Sequence, residues 1–163
     1  MNIPLVAALG CIVLLLLIVI AVVILRRWGD GMLGEMRDRA GLRGEDGLRG
    51  ERMASFRGRL SDGAPVRGNA VALLTDRALY IVCLWPRREF VIPLARVKTA
   101  ELSREFMGAT YRSGFFIVHY AGDGGPDAIA LTLPKRAEWV ADVVKFAGGV
   151  ERGKEKGESG ISL

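Results

Sequence analysis

The chain has 163 residues, half of them apolar and a quarter charged, with a formal net charge of +5. That length leaves room for one domain of about 100 residues beside a membrane segment and tails. Two cysteines give no disulfide framework, and a single histidine, His119, excludes a metal site built on histidines within one chain.

From Ile3 to Leu25 no side chain is charged, and Gly10 and Cys11 are the only interruptions of an aliphatic run. A helix of this length matches the roughly 30 Å hydrocarbon core of a bilayer. Pro4 falls in the first turn, where a missing N–H costs nothing. Arg26, Arg27 and Trp28 follow directly: two cations and an indole suited to the water–lipid boundary. A cleaved signal peptide needs a basic leader and a shorter apolar core, and neither is present. Residues 1–28 are therefore predicted to be a retained anchor. The Arg26–Arg27 side faces the cytoplasm by the positive-inside rule. This places the protein in the cell inner (plasma) membrane, single-pass, with its C-terminal part inside.

Residues 29–51 carry seven glycines and alternating charges, which predicts a flexible tether. Glycine recurs at 41, 44, 47 and 50, but four proline-free Gly-x-y triplets are too short to hold a collagen-like triple helix. A short amphipathic helix around Met32–Met36 is the alternative for part of this stretch. Charge is not spread evenly. Residues 52–147 hold fourteen basic and nine acidic side chains, whereas the segments before and after balance to zero. A basic domain tethered beside an anionic leaflet is drawn toward it.

Seven short strands are predicted next: 53–60, 69–75, 79–85, 89–94, 97–102, 115–120 and 128–133. Turn chemistry separates them at Ser61–Pro65, Thr75–Arg77, Pro86–Arg88 and Asp123–Asp127. The Asp76 side chain is expected to bond the backbone ahead of it. Pro93 removes a ladder donor and marks the fourth strand as an edge. Pro134 then opens one helix, with Ala137, Val140, Val143, Val144 and Ala147 at helical spacing, Trp139 on the flank of that stripe, and Gly148–Gly149 as its stop. Residues 149–163 read as a disordered tail whose last residues, Ile161–Ser162–Leu163, suit a carboxylate-capturing groove. The fold class is thus mainly β: a transmembrane helix, a linker, and a domain at 52–148 in which about seven antiparallel strands form a barrel or sandwich closed by one C-terminal helix.

Two stretches carry a resemblance to a known family. Ala72–Ile81 (ALLTDRALYI) and Arg88–Val97 (REFVIPLARV) resemble the strand–Thr-Asp turn–strand and "IPL" strand end of pleckstrin-homology-like domains, of the kind found in bacterial membrane proteins and GRAM domains. Trp139 is similar to the tryptophan of their closing helix. The resemblance covers about residues 52–147 and implies a lipid- or protein-binding module. Lipid-binding members place basic residues on the first two strands and the loop between them. Here Arg57, Arg59 and Arg67 correspond, with Asp62 among them, and the next turn adds Arg87 and Arg88. The family's dense basic motif is absent, and Asp123 and Asp127 lie near the same end.

Enzyme chemistry finds no support in these residues. The glycines at 122–125 lack the Lys-Ser/Thr of a phosphate loop. His119 shares a strand face with Phe115 and Ile117 and has no catalytic partner in view. Cys83, between Val82 and Leu84, reads as an inert buried thiol. No cofactor, metal or nucleic acid is expected. The sequence predicts a membrane-anchored, non-enzymatic scaffolding module that presents its domain to a protein partner at the membrane. The competing expectation is a sensor of anionic lipid headgroups through the arginine-rich end.

Overall fold

A computed structural model describes residues 3–64 and 66–158. Helix α1 spans Ile3–Leu42 and is followed by β1 (Gly47–Arg59), β2 (Gly68–Thr75), β3 (Ala78–Cys83), β4 (Arg88–Pro93), β5 (Val97–Phe106), β6 (Ala109–Gly122), β7 (Gly125–Thr132) and helix α2 (Arg136–Glu158). Each of these strands overlaps one of the seven expected. They form one seven-stranded antiparallel sheet in the order β4-β3-β2-β1-β7-β6-β5. β4, the strand ending in Pro93, is an edge. β1 is the hinge of this sheet. Its first part pairs with β2, its last part with β7, and the ladder is irregular between Phe56 and Gly58, where Gly58 has φ 128°. The two halves therefore fold over one core that includes Phe56, Leu79, Ile92, Phe116 and Ile129.

α2 closes this core. Trp139 and Val143 are buried, and the Trp139 ring lies 6.1 Å from that of Phe116. The buried face is rotated from the expected stripe: Ala137 and Val144 are exposed and Trp139 points in. The strand order and the closing helix match the expected mainly β architecture of seven antiparallel strands closed by one C-terminal helix.

Three expectations about the flanks need correction. Residues 29–51 are not a flexible tether: α1 continues unbroken to Leu42, and β1 begins at Gly47. Met36 and Ala40 are buried with Val71, Leu73, Tyr80 and Val82 on the outer face of β2 and β3, with Met32 and Leu33 packed alongside. The stripe 32, 33, 36, 40 is short, but the sheet supplies the other half of the apolar contact. Gly148–Gly149 does not stop α2, which runs to Glu158. The C-terminal Ile161–Ser162–Leu163 lies outside the described residues. The third correction concerns β5 and β6, which extend past their predicted ends into a long hairpin that turns at Met107–Gly108, with φ 50° and 73°. Positive φ at both turn residues is the geometry of a tight two-residue hairpin connection.

Glycine explains the close approach of α1 to β1. A Cβ at Gly29 would sit 3.1 Å from the Arg52 carbonyl oxygen, and one at Gly50 would sit 2.8 Å from Leu33. A polar latch fixes the far end of the helix. Glu45 accepts hydrogen bonds from the hydroxyls of Tyr80 (2.9 Å) and Thr75 (2.8 Å), and Arg43 donates to Tyr80 (3.0 Å). Thr75, rather than Asp76, caps its own turn by accepting from the Ala78 N–H at 2.9 Å. Asp76 instead accepts from the Asp46 N–H at 3.0 Å. In contrast, the large apolar side chains from Ile12 to Ile24 are 41–62% exposed and touch no part of the β-domain core.

Candidate functional site

The five arginines expected to gather at one end separate into two groups. Arg59 and Arg88 are committed internally. Arg59 donates to Asp62 at 2.8 Å, lies 3.7 Å from Asp127 and stacks 5.3 Å over the Phe90 ring. Arg88 reaches the other oxygen of Asp62 at 3.4 Å. Asp127 accepts from the Ser61 N–H (2.9 Å), the Ser61 hydroxyl (2.8 Å), the Tyr120 hydroxyl (3.0 Å) and the Ala128 N–H (2.9 Å). Burial alone would raise its pKa. The hydrogen bonds from Ser61, Ala128 and Tyr120 outweigh it and hold the carboxyl below its ordinary range. Burial and the bond to Asp127 push the Tyr120 phenol up to about 12. This network ties the β1–β2 loop to β7 and leaves those cations little to offer a ligand.

Arg57, Arg67 and Arg87 form the second group. Among the described residues none has a carboxylate within ion-pair distance. Arg57 is braced by the Thr132 hydroxyl (3.2 Å) and by the Tyr111 ring, 5.1 Å from its guanidinium. All three line a groove of about 810 Å³ whose other wall is α1, through Trp28 and Met32, and whose floor includes Phe56, Asn69 and Leu84. Trp85 stands at its edge, 84% exposed, and Trp28 is 66% exposed. Cations and indoles thus share one open groove, at the point where the apolar run of α1 has just ended. Arg26 and Arg27 are exposed on the preceding turn.

Trp28 is expected at a boundary from sequence, but Trp85 reads as the last residue of a strand, and nothing in the spacing joins the two. Their pairing depends on α1 lying across the sheet. Elsewhere, His119 meets Glu101 at 3.0 Å on the outer surface. Cys83 is buried, and burial pushes its thiol up to about 11.

No family model and no curated protein matches this sequence. Among solved structures, the chain is similar to the C-terminal domain of an unknown protein from Leishmania infantum, with TM-score 0.51 and 11% identity, over 71% of this chain and 97% of that one. It also has a likeness to the N-terminally truncated linker-DH/PH domains of p115-RhoGEF, with TM-score 0.43 and 17% identity, over 64% of this chain and 30% of that one. The first likeness speaks to fold alone, and the second carries no argument. The class defined by sheet, closing helix and groove is a mainly β module, one seven-stranded antiparallel sheet closed by a C-terminal helix, with an apolar N-terminal helix whose later turns pack on its side.

Proposed function

We propose that this chain is a single-pass membrane protein whose β-domain is a non-enzymatic binding module, held on the cytoplasmic face, and that its groove takes the phosphate of an anionic lipid headgroup. One observation carries this reading: three arginines without carboxylate partners converge with Trp28 and Trp85 in a groove beside the membrane end of α1. Guanidinium groups pair well with phosphate, and indoles settle at the headgroup level. Of the five arginines expected at the open end, Arg57, Arg67 and Arg87 would bind, while Arg59 and Arg88 hold the β1–β2 loop in place.

The test uses the full-length protein in phosphatidylcholine nanodiscs, titrated with dioctanoyl phosphatidylglycerol or dioctanoyl phosphatidylcholine and followed by tryptophan fluorescence. Trp139 is buried and serves as a constant background. The anionic lipid is expected to bind more tightly, and Arg67→Glu with Arg87→Glu is expected to weaken it by more than about tenfold, since charge-assisted hydrogen bonds contribute roughly 1.5–3 kcal/mol each. Equal responses to the two lipids, or an unchanged double variant, sink the headgroup reading.

A second reading, capture of a protein partner, is favoured by the free edge of β4. This strand ends the sheet, exposes Val91, and borders a cleft of about 440 Å³ shared with the β6–β7 turn. An extended segment of a partner adds to such an edge by main-chain hydrogen bonds. A photo-crosslinker at Val91 is expected to yield one discrete adduct in native membranes. A smear or no adduct removes the edge as the capture site.

A further inference from the structure

We infer that the tip of the β5–β6 hairpin is a second membrane contact, which lies against the anionic surface of the same bilayer that α1 enters. This rests on the reading of α1 as an inserted helix but concerns residues outside the headgroup groove.

The geometry follows from the direction of β1. Along α1 from Gly29 through Leu33 to Arg37, the neighbours on β1 run back from Arg52 to Gly50 and Gly47. β1 therefore runs antiparallel to α1, toward the end where the apolar run lies. At Arg52 it is already level with Gly29, and at Arg57 it shares the groove with Trp28. Arg57 and Arg67 also form the wall of a second depression, of about 140 Å³, completed by Phe106, Ala109, Thr110 and Tyr111. The hairpin tip is thus continuous, through these two arginines, with the point where α1 leaves its apolar stretch.

The chemistry of the tip suits that position. Met107, Gly108 and Ala109 make an uncharged turn, and Tyr111 is exposed beside it. Arg104 and Arg112 flank the turn and are exposed, and neither has a carboxylate partner among the described residues. Glu105 is the one acidic residue between them. A small uncharged tip bordered by arginines and a tyrosine fits the headgroup layer of an anionic leaflet. β6 has fourteen residues against eight in β7, and the hairpin end that reaches beyond β7 is held in place by the packing of Phe106, Met107 and Ala109 with Phe115, Ile117, Ala128 and Ala130.

The test uses full-length protein with Cys11→Ser and Cys83→Ser, carrying an environment-sensitive fluorophore at Thr110→Cys, Arg26→Cys or Lys145→Cys. Each is placed in nanodiscs of phosphatidylcholine with phosphatidylglycerol and probed with nitroxide-labelled lipid. The label at 110 is expected to shift to the blue and lose intensity to the nitroxide, as at 26, while the label at 145 on α2 stays in water. Arg104→Glu with Arg112→Glu is expected to reverse the effect at 110 and leave 26 unchanged. Quenching at 26 with none at 110 overturns the hairpin contact and spares the anchor. No quenching at 26 overturns the anchor, and this inference with it. Amide exchange over residues 104–112 of the unsubstituted protein gives a label-free measure and is expected to slow in anionic relative to neutral discs. Equal exchange in the two discs overturns the contact.

Discussion

Asp127 is the side chain on which the open end depends. It is nearly buried and accepts from Ser61, Tyr120 and Ala128, so its removal leaves several donors unpaired. Asp127→Ala is expected to cost about 1–3 kcal/mol in chemical denaturation, within the range for a buried hydrogen-bonding group. Its folded pKa lies below the unfolded value, so its contribution is complete above about pH 4 and is lost as pH falls through the folded pKa. Asp127→Asn is expected to flatten the acid limb of the stability profile, which a pH series of unfolding curves will show. Cys83 behaves oppositely. Its thiol stays protonated well above neutral pH because burial disfavours the thiolate. In a Cys11→Ser background it is expected to react with an aqueous thiol reagent at pH 8 only as fast as the domain opens. Prompt reaction of the native protein would contradict its burial.

At the scale of elements, the junction of α1 with β1 is the part least legible from sequence. Residues 29–51 look like a spacer because their glycines and charges resemble a solvated chain. Two of those glycines are contact points: Gly29 against Arg52 and Gly50 against Leu33. The rest of the stabilisation comes from sheet residues more than twenty positions away, such as Val71, Leu73 and Tyr80. Gly29→Leu is expected to weaken the docking of α1 by about 1–3 kcal/mol through overpacking. Gly31→Ala, where a Cβ meets nothing within 4 Å, is expected to strengthen the helix by about 0.5–1 kcal/mol. Amide exchange across residues 29–46 distinguishes the two, since the first should accelerate it and the second slow it. Strands at 97–102 and 115–120 are legible, but the extension of β5 and β6 to their shared tip is not, for a related reason. Met107 at positive φ is an uncommon turn residue, and only the pairing of Phe106 with Ala109 reveals the reversal.

For the whole molecule, the continuous α1 replaces a loose tether with a fixed mount. The β-domain is tied to α1 by the apolar face at Met36 and Ala40, by the Glu45 latch and by the Arg52–Asp30 ion pair. If α1 is inserted as proposed, the groove and the hairpin tip would face the membrane in a set orientation, and weak lipid contacts would act at high effective concentration. Alkaline carbonate is expected to leave the full chain in the membrane pellet, and deletion of residues 3–25 to release a folded domain to the supernatant. Extraction of the full chain by carbonate would contradict the anchor.

Local pattern by itself determined the apolar helix, the seven strands and the closing helix, because alternation, β-branching, turn residues and helical spacing act over a few neighbours. It also picked out the arginines, but not which of them are free. That was decided by tertiary structure: Arg59 reaches Asp127 only once the β1–β2 loop meets β7, Arg88 reaches Asp62 only once that loop meets β4, and Trp28 joins Arg57, Arg67 and Arg87 only once α1 packs on the sheet. Charge pairing and groove walls depend on distance in space, which a one-dimensional pattern does not encode.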